Sequence, residues 1–218
     1  MSPSAPGTGR FITVEGGDGA GKSTQVAALC RALRDAGVDV IATREPGGTG
    51  AAEEIRQLLV AGAAARWTPM TEALLHFAAR REHLEGAIWP ALAIGRWVVS
   101  DRFADSTTAY QGVGQGLGVD TVAAIYRVAV GDFAPDLTFI LDLPAEEGLA
   151  RAGARPGAGS DRYEGLPINV HRKLRQAFLD IAACEPDRCV LIDATADAER
   201  ISARIRTEVA ARFAIKLL

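Results

Sequence analysis

Residues Gly16 to Ser23 read GGDGAGKS, a run that fits GxxxxGK[ST] and stands between an apolar β-branched segment and one of helical period. Chance gives such a match in about 3 of 1,000 chains of this composition. Glycines let a loop fold back until successive N–H groups converge on phosphate oxygens, and a helix opening at its end adds about half a positive charge. The expected cradle for the phosphates of ATP is Gly16, Gly17, Asp18, Gly19, Ala20, Gly21, Lys22, Ser23 and Thr24. Lys22, one of only three lysines in the chain, is expected to reach the β- and γ-phosphates. The Ser23 hydroxyl is expected to complete a largely aqueous Mg²⁺ shell.

Further polar residues close other apolar runs. Glu15 precedes the glycines, Arg44-Glu45 follows the second run, Asp101-Arg102 the third and Asp142 the fourth. An Asp-Arg pair at a strand end is often only an ion pair. Several such ends together point to a site, because perturbing charges collect where chemistry is done. The elements that must position them are five short strands at Phe11 to Val14, Val38 to Thr43, Trp97 to Ser100, Leu137 to Leu141 and Cys189 to Ile192. Helical periods lie near Ser23 to Ala36, Ala51 to Ala61, Thr71 to Ile94, Asp120 to Val130, Asn169 to Ala183 and Ala198 to Phe213. This alternation predicts an α/β fold with a five-stranded parallel sheet flanked by helices, whose sites lie at the carboxyl ends of its strands. A flexible tail over 1–9, one domain over 10–218 and a mobile loop at about 152–165, where Gly, Pro, Ser and Arg replace the apolar period, complete the expected organisation.

With 218 residues, 48% hydrophobic and 23% charged, the chain is neither disordered nor collagen-like. A net charge of −3 without a basic block argues against a nucleic-acid or anionic-membrane partner. No run of eighteen uncharged apolar residues occurs, so no membrane span is expected. Cys30, Cys184 and Cys189 form no CxxC pair and are expected as buried thiols in a reducing compartment; with no apolar run over Met1 to Gly9, a soluble cytoplasmic protein is expected.

A phosphate loop names a nucleotide binder, not a reaction. A GTPase would usually carry Asn-Lys-x-Asp, but the only asparagine, Asn169, precedes Val170. A kinase needs a second polar site for its acceptor and a cover that keeps water from taking the phosphate. The residues alone leave open a nucleoside monophosphate kinase of several specificities and a P-loop NTPase acting as a switch.

VEGGDGAGKST at the front, TREPGGT from Thr43 to Thr49, Asp101-Arg102 with STTAYQG from Ser106 to Gly112, and PDLTFILD from Pro135 to Asp142 together resemble the thymidylate kinases over most of the chain. The resemblance implies the three-layer P-loop kinase fold, transfer of the γ-phosphate of MgATP to dTMP to give dTDP and ADP, and a homodimer. It implies that Arg102, with Arg44 beside it, grips the acceptor phosphate and that Asp101 orients Arg102 or holds Mg²⁺ through water. Asp18 takes the position that contacts the sugar 3′-hydroxyl, and Ser106, Thr107, Tyr110 and Gln111 match positions lining the sugar and base pocket. An aromatic ring near C2′, here Tyr110, would leave no room for a ribose hydroxyl.

Arg80 matches the base-reading arginine. The stacking ring four residues earlier is His76 where the family usually has Phe, with Phe77 one place along, so either ring is a candidate. Asp193 to Asp197 falls beside the implied adenine edge. The loop position that carries a basic residue in some relatives is Gly19 here, which places the chain with the subgroup, typified by enterobacterial enzymes, whose catalytic arginines stand in the lid. Arg151, Arg155 and Arg162 fit that arrangement, although one position that is Arg in some of those relatives is Gly153. On this reading Arg155→Ala lowers kcat far more than it raises the KM for either nucleotide; steady-state kinetics showing an unchanged kcat would refute it.

Overall fold

β1 (Phe11–Gly16) is buried along its whole length, as a strand paired on both edges and covered on both faces must be. It runs parallel to β3 (Trp97–Asp101) on one side and β4 (Leu137–Asp142) on the other, with β2 (Val40–Arg44) and β5 (Cys189–Asp193) at the edges. The resulting order is β2-β3-β1-β4-β5, all parallel, the expected five-stranded sheet. The structure, a computed structural model, describes residues 9–62, 66–154, 163 and 165–217. The tail over 1–8 and most of the expected loop, including Arg155 and Arg162, lie outside the described residues.

The sheet separates two cores. Against one face α1 (Lys22–Asp35) and α9 (Ala198–Phe213) bring Leu29, Leu33 and Ile205 onto Ile12, Val14 and Phe139. Against the other, α3 (Pro69–His83), α4 (Trp89–Ala93) and α6 (Val119–Ala129) pack Phe77, Ala91 and Val122 around Phe11 and Phe103. A smaller cluster joins α8 (Ile168–Cys184), through Leu174 and Phe178, to Ile140 and Tyr110. α2 (Gly50–Val60) lies against α3 and is capped by the Thr49 side chain, which accepts from the Ala52 N–H.

Four local features depart from the sequence reading. The long helix expected over Thr71 to Ile94 is interrupted at Leu84–Ile88 by a π-helical turn before α4. Pro90 explains the break, since it has no N–H to donate and its ring crowds the carbonyl four residues back. The STTAYQG stretch, expected only as a polar motif, folds as a short α5 (Ala104–Thr107) continued by a π-helical segment, Thr108–Gly114. A further helix, α7 (Ala145–Gly153), takes in Ala152 and Gly153, which composition assigns to the loop. Cys30 and Cys189 are buried free thiols, but Cys184 is exposed because it falls off the buried stripe of α8, which runs through His171, Leu174, Ala177 and Phe178.

Candidate active site

The phosphate loop leaves β1 at Gly16 and enters α1 at Lys22, with Gly19 and Gly21 at φ of +75° and +92°. A side chain at position 19 has no space: a Cβ there would stand 1.9 Å from the Gly148 carbonyl oxygen of α7. The Lys22 ammonium donates to the Gly17 carbonyl at 2.7 Å. Burial, and then the Arg102 charge, push the pKa of Lys22 down to about 8. Ser23 donates to Asp101 Oδ2 at 2.5 Å, so the loop's hydroxyl and the carboxylate closing β3 adjoin.

Arg102 follows β3 with φ of +71°, a left-handed conformation that a non-glycine residue keeps only when its surroundings hold it. Here they do. Its guanidinium donates to Gly16 O at 3.1 Å, Ser106 Oγ at 2.9 Å, Asp18 Oδ1 at 2.7 Å and the Tyr110 hydroxyl at 3.3 Å, and its carbon lies 5.2 Å from the Tyr110 ring centroid. Tyr110 in turn donates to Asp18 Oδ2 at 3.0 Å. Burial opposes the charge on Asp18, but Arg102 and Lys22 outweigh it and hold the carboxyl below its ordinary range. Beneath them Glu15, fully buried, accepts from Phe103 N and Ser106 Oγ, each at 2.6 Å, and so fixes both sides of the Arg102 turn. Desolvation, with Asp105 nearby, pushes the Glu15 carboxyl up to about 8.

At the far end Arg80, 2% exposed, donates to Glu45 Oε2 at 2.7 Å, Phe103 O at 3.0 Å and Thr107 Oγ1 at 3.1 Å, and lies over the rings of Phe77 and Phe103. Its Nη1 has no hydrogen-bond partner among the described residues. Phe77 faces the core beneath this guanidinium, whereas His76 lines the cavity. Glu45 also accepts from His83, whose other nitrogen meets Thr43 Oγ1 at 2.6 Å, tying the TREPGG turn to α3. Glu72, on α3 and fully buried, accepts from Gln111, Gln115 and Tyr163.

These groups surround one cavity of about 560 Å³ that runs from Lys22, Ser23 and Thr24 past Arg102 to Arg80 and Gln111. Asp18, Arg44, His76, Asp101, Ser106, Thr107 and Tyr110 line it, so most expected site residues converge. Arg44 also pairs with Glu53, and Arg151 pairs with Glu147 while donating to the Ala194 carbonyl at 3.0 Å. Arg56 and Tyr163 share the lining without having been singled out in the sequence, and Glu45, noted there as a strand-end residue, joins them.

A family profile for thymidylate kinase matches residues 14–205. The thymidylate kinase of Caulobacter vibrioides is 53% identical over 207 residues, 95% of this chain and 99% of its own, and that of Bradyrhizobium sp. (strain ORS 278) is 53% identical over 198 residues, 90% and 88%. The crystal structure of thymidylate kinase from Ehrlichia chaffeensis superposes with a TM-score of 0.75 at 33% identity, covering 93% of this chain and 99% of that one. The chain belongs to the thymidylate kinase family.

As a thymidylate kinase family member it is a phosphotransferase of the nucleoside monophosphate kinase kind, on a P-loop kinase fold. Its oxygen donors suit Mg²⁺. Among the described residues no three His, Cys, Asp or Glu side chains cluster as a metal cage, whereas the adjoining Ser23 hydroxyl and Asp101 carboxylate offer two hard oxygens beside the phosphate loop, the sparse protein contribution that Mg²⁺ takes. The raised Glu15 has a consequence for stability. Its folded pKa lies above its ordinary value of 4.5, so the native state binds the extra proton and its contribution is lost as pH climbs from about 4.5 through about 8. Thermal melts from pH 5 to pH 8 are therefore expected to fall more steeply for the native sequence than for Glu15→Gln; parallel curves would contradict a buried, proton-holding Glu15.

Proposed function

We propose that the chain transfers the γ-phosphoryl group of ATP to the 5′-phosphate of dTMP, giving dTDP and ADP. The observation that carries the choice of base is a pair of unsatisfied groups. Arg80 Nη1 is a buried donor and Gln111 Oε1 a buried acceptor, both without partners among the described residues, and both residues line the cavity beyond Arg102. A buried polar atom left unpaired is costly, so such atoms mark where a ligand completes the bonding. Thymine offers the complement, a carbonyl at C4 for the arginine and the neighbouring ring N–H for the glutamine. Cytosine presents an amine and a bare ring nitrogen and mismatches both.

The remaining groups fall into order along the cavity. The loop from Gly16 to Thr24 takes the ATP phosphates on its N–H groups, with Lys22 exchanging the Gly17 carbonyl for a phosphate oxygen. Ser23 and Asp101 would hold Mg²⁺, whose charge offsets that of the β- and γ-phosphates when it is bound. Arg102 would take two oxygens of the acceptor phosphate on its fork by exchanging some of the bonds it makes here to Gly16, Asp18, Ser106 and Tyr110, and Arg44 and Arg56 add positive charge on the same wall. Asp18 and Tyr110 stand against the sugar, Asp18 to accept from the 3′-hydroxyl and the Tyr110 ring to fill the space a 2′-hydroxyl would need. His76, which lines the cavity while Phe77 is buried in the core, is the ring proposed to stack on the base. An acceptor oxygen attacks the γ-phosphorus as its bond to the β-phosphate oxygen breaks, and positioning with positive charge carries the rate.

Arg151, in the last turn of α7, brings one cation over the loop, and Arg155 and Arg162 are proposed to add theirs from the lid. We also propose a cytoplasmic homodimer. Exposed Met70 and Leu74 on α3 and Val128 on α6, two helices that pack together, offer apolar surface for it, and no helix among the described residues is long and apolar enough to cross a membrane. A coupled ADP-release assay with ATP, Mg²⁺ and separately dTMP, dUMP, dCMP, AMP or GMP is expected to give turnover with dTMP far above dCMP and the purines. ATP hydrolysis that ignores the acceptor would overturn the reading.

A further inference from the structure

We propose that Glu72 sets the preference for thymine over cytosine by locking the Gln111 amide in one orientation, which makes it a positioning residue for base choice. The inference rests on the placement of Gln111 in the base site argued above.

Glu72 is 0% exposed and stands behind the base end of the cavity, on α3. Its Oε1 accepts from Gln111 Nε2 at 2.7 Å, Gln115 Nε2 at 2.6 Å and the Tyr163 hydroxyl at 2.9 Å. An ionised carboxylate can only accept, so each amide must turn its nitrogen toward it and its oxygen away. The oxygens turned away, Gln111 Oε1 and Gln115 Oε1, are buried and unpartnered among the described residues, and of the two glutamines only Gln111 lines the cavity. The acceptor that meets the base is therefore chosen from behind, by the charge on Glu72. A flipped Gln111 would set its oxygen at about 2.7 Å from a carboxylate oxygen, acceptor against acceptor with no proton between.

The lock has a second support. Tyr163 spends its only proton on Glu72, so His76 Nε2, 3.1 Å from the same hydroxyl, must be the donor of that contact. Every donor in the chain from His76 through Tyr163, together with both glutamines, thus points toward Glu72, and no member can reverse alone without setting like against like. The constraint reaches two walls of the base pocket at once, since His76 and Tyr163 line the cavity with Gln111. It acts on an amide that, released, would serve either pyrimidine equally: oxygen toward the N–H of thymine, nitrogen toward the bare ring nitrogen of cytosine.

Glu72→Gln keeps the volume and removes the obligation, because an amide can face Gln111 with either end. The expected result is at least a tenfold rise in the ratio of kcat/KM for dCMP to that for dTMP, with the KM for ATP within about twofold of the native value. A merely structural role for Glu72 would lower both acceptors together and leave the ratio alone, and an unchanged ratio overturns the proposal. Gln111→Ala separates the two levels: it is expected to raise the KM for dTMP without improving dCMP. If its KM for dTMP is instead unchanged, the base-site assignment fails with the inference. If it rises while the Glu72→Gln ratio stays put, the inference alone fails. Should Glu72→Gln not fold, the native protein decides by NMR of the Gln111 side-chain N–H₂, identified by its loss in Gln111→Ala: protons held on a buried carboxylate with and without dTMP support the lock, and protons transferred to the nucleotide on binding refute it.

Discussion

The Arg102 guanidinium, which ties the end of β3 to the phosphate loop through Gly16 and Asp18, is the constraint on which the rest of this site depends. Arg102 stands in a left-handed backbone conformation that costs of order 1–3 kcal/mol for a residue with a side chain. The turn persists because Glu15 takes the next N–H and the Ser106 hydroxyl, while Gly16, Asp18, Ser106 and Tyr110 take the guanidinium from the other side. The phosphate loop and the acceptor wall are thereby built as one object. The first lends a carbonyl and a carboxylate to hold Arg102, and Arg102 returns a fixed charge beside Lys22. Burial pushes the Glu15 carboxyl up, whereas Arg102 and Lys22 hold the Asp18 carboxyl down, so Asp18 is the carboxylate paired directly with Arg102.

The same crowding decides where charge can come from on the ATP side. Gly19 and Gly148 face each other backbone to backbone, and a Cβ at position 148 would lie 2.5 Å from the Asp18 carbonyl oxygen. The loop cannot host a basic side chain of its own at that point while α7 is seated there. Cations over the transferring group must arrive from elsewhere, and Arg151 on α7 is already on the cavity wall. This is the physical content of the proposal that the lid arginines do that work.

What was legible in the sequence followed how local its cause was. All five strands and the phosphate loop could be read because β-branched runs and glycine spacing act within a few residues. Arg102, Asp101, Tyr110, Gln111 and Arg80 could be read as site residues because their motifs are contiguous, and the structure gathers them on one cavity. The π-helical segments were not legible, since they arise from Pro90 and from packing against other helices rather than from a change of period. Nor was Glu72, and Glu15 and Glu45 were legible only as polar residues closing strands, without the roles the structure gives them. Each is a carboxylate in an apolar setting whose meaning depends on a partner from a distant part of the chain, Phe103, Arg80 and Gln111 respectively. An acidic residue inside an otherwise buried strand was the one available signal, and it was present at Glu15. His76 and Phe77 show the opposite limit: one step along a helix turns a side chain by about 100°, and only the packed structure shows which ring faces the cavity.

The measurement closest to the central claim is acceptor and donor kinetics of Arg102→Lys, which keeps the positive charge and removes the planar fork. If Arg102 is the grip on the acceptor phosphate, kcat/KM for dTMP falls by about 10³-fold while the KM for ATP moves by less than about threefold and the melting temperature by a few degrees. An unchanged kcat/KM for dTMP, or a loss confined to ATP, would contradict the account.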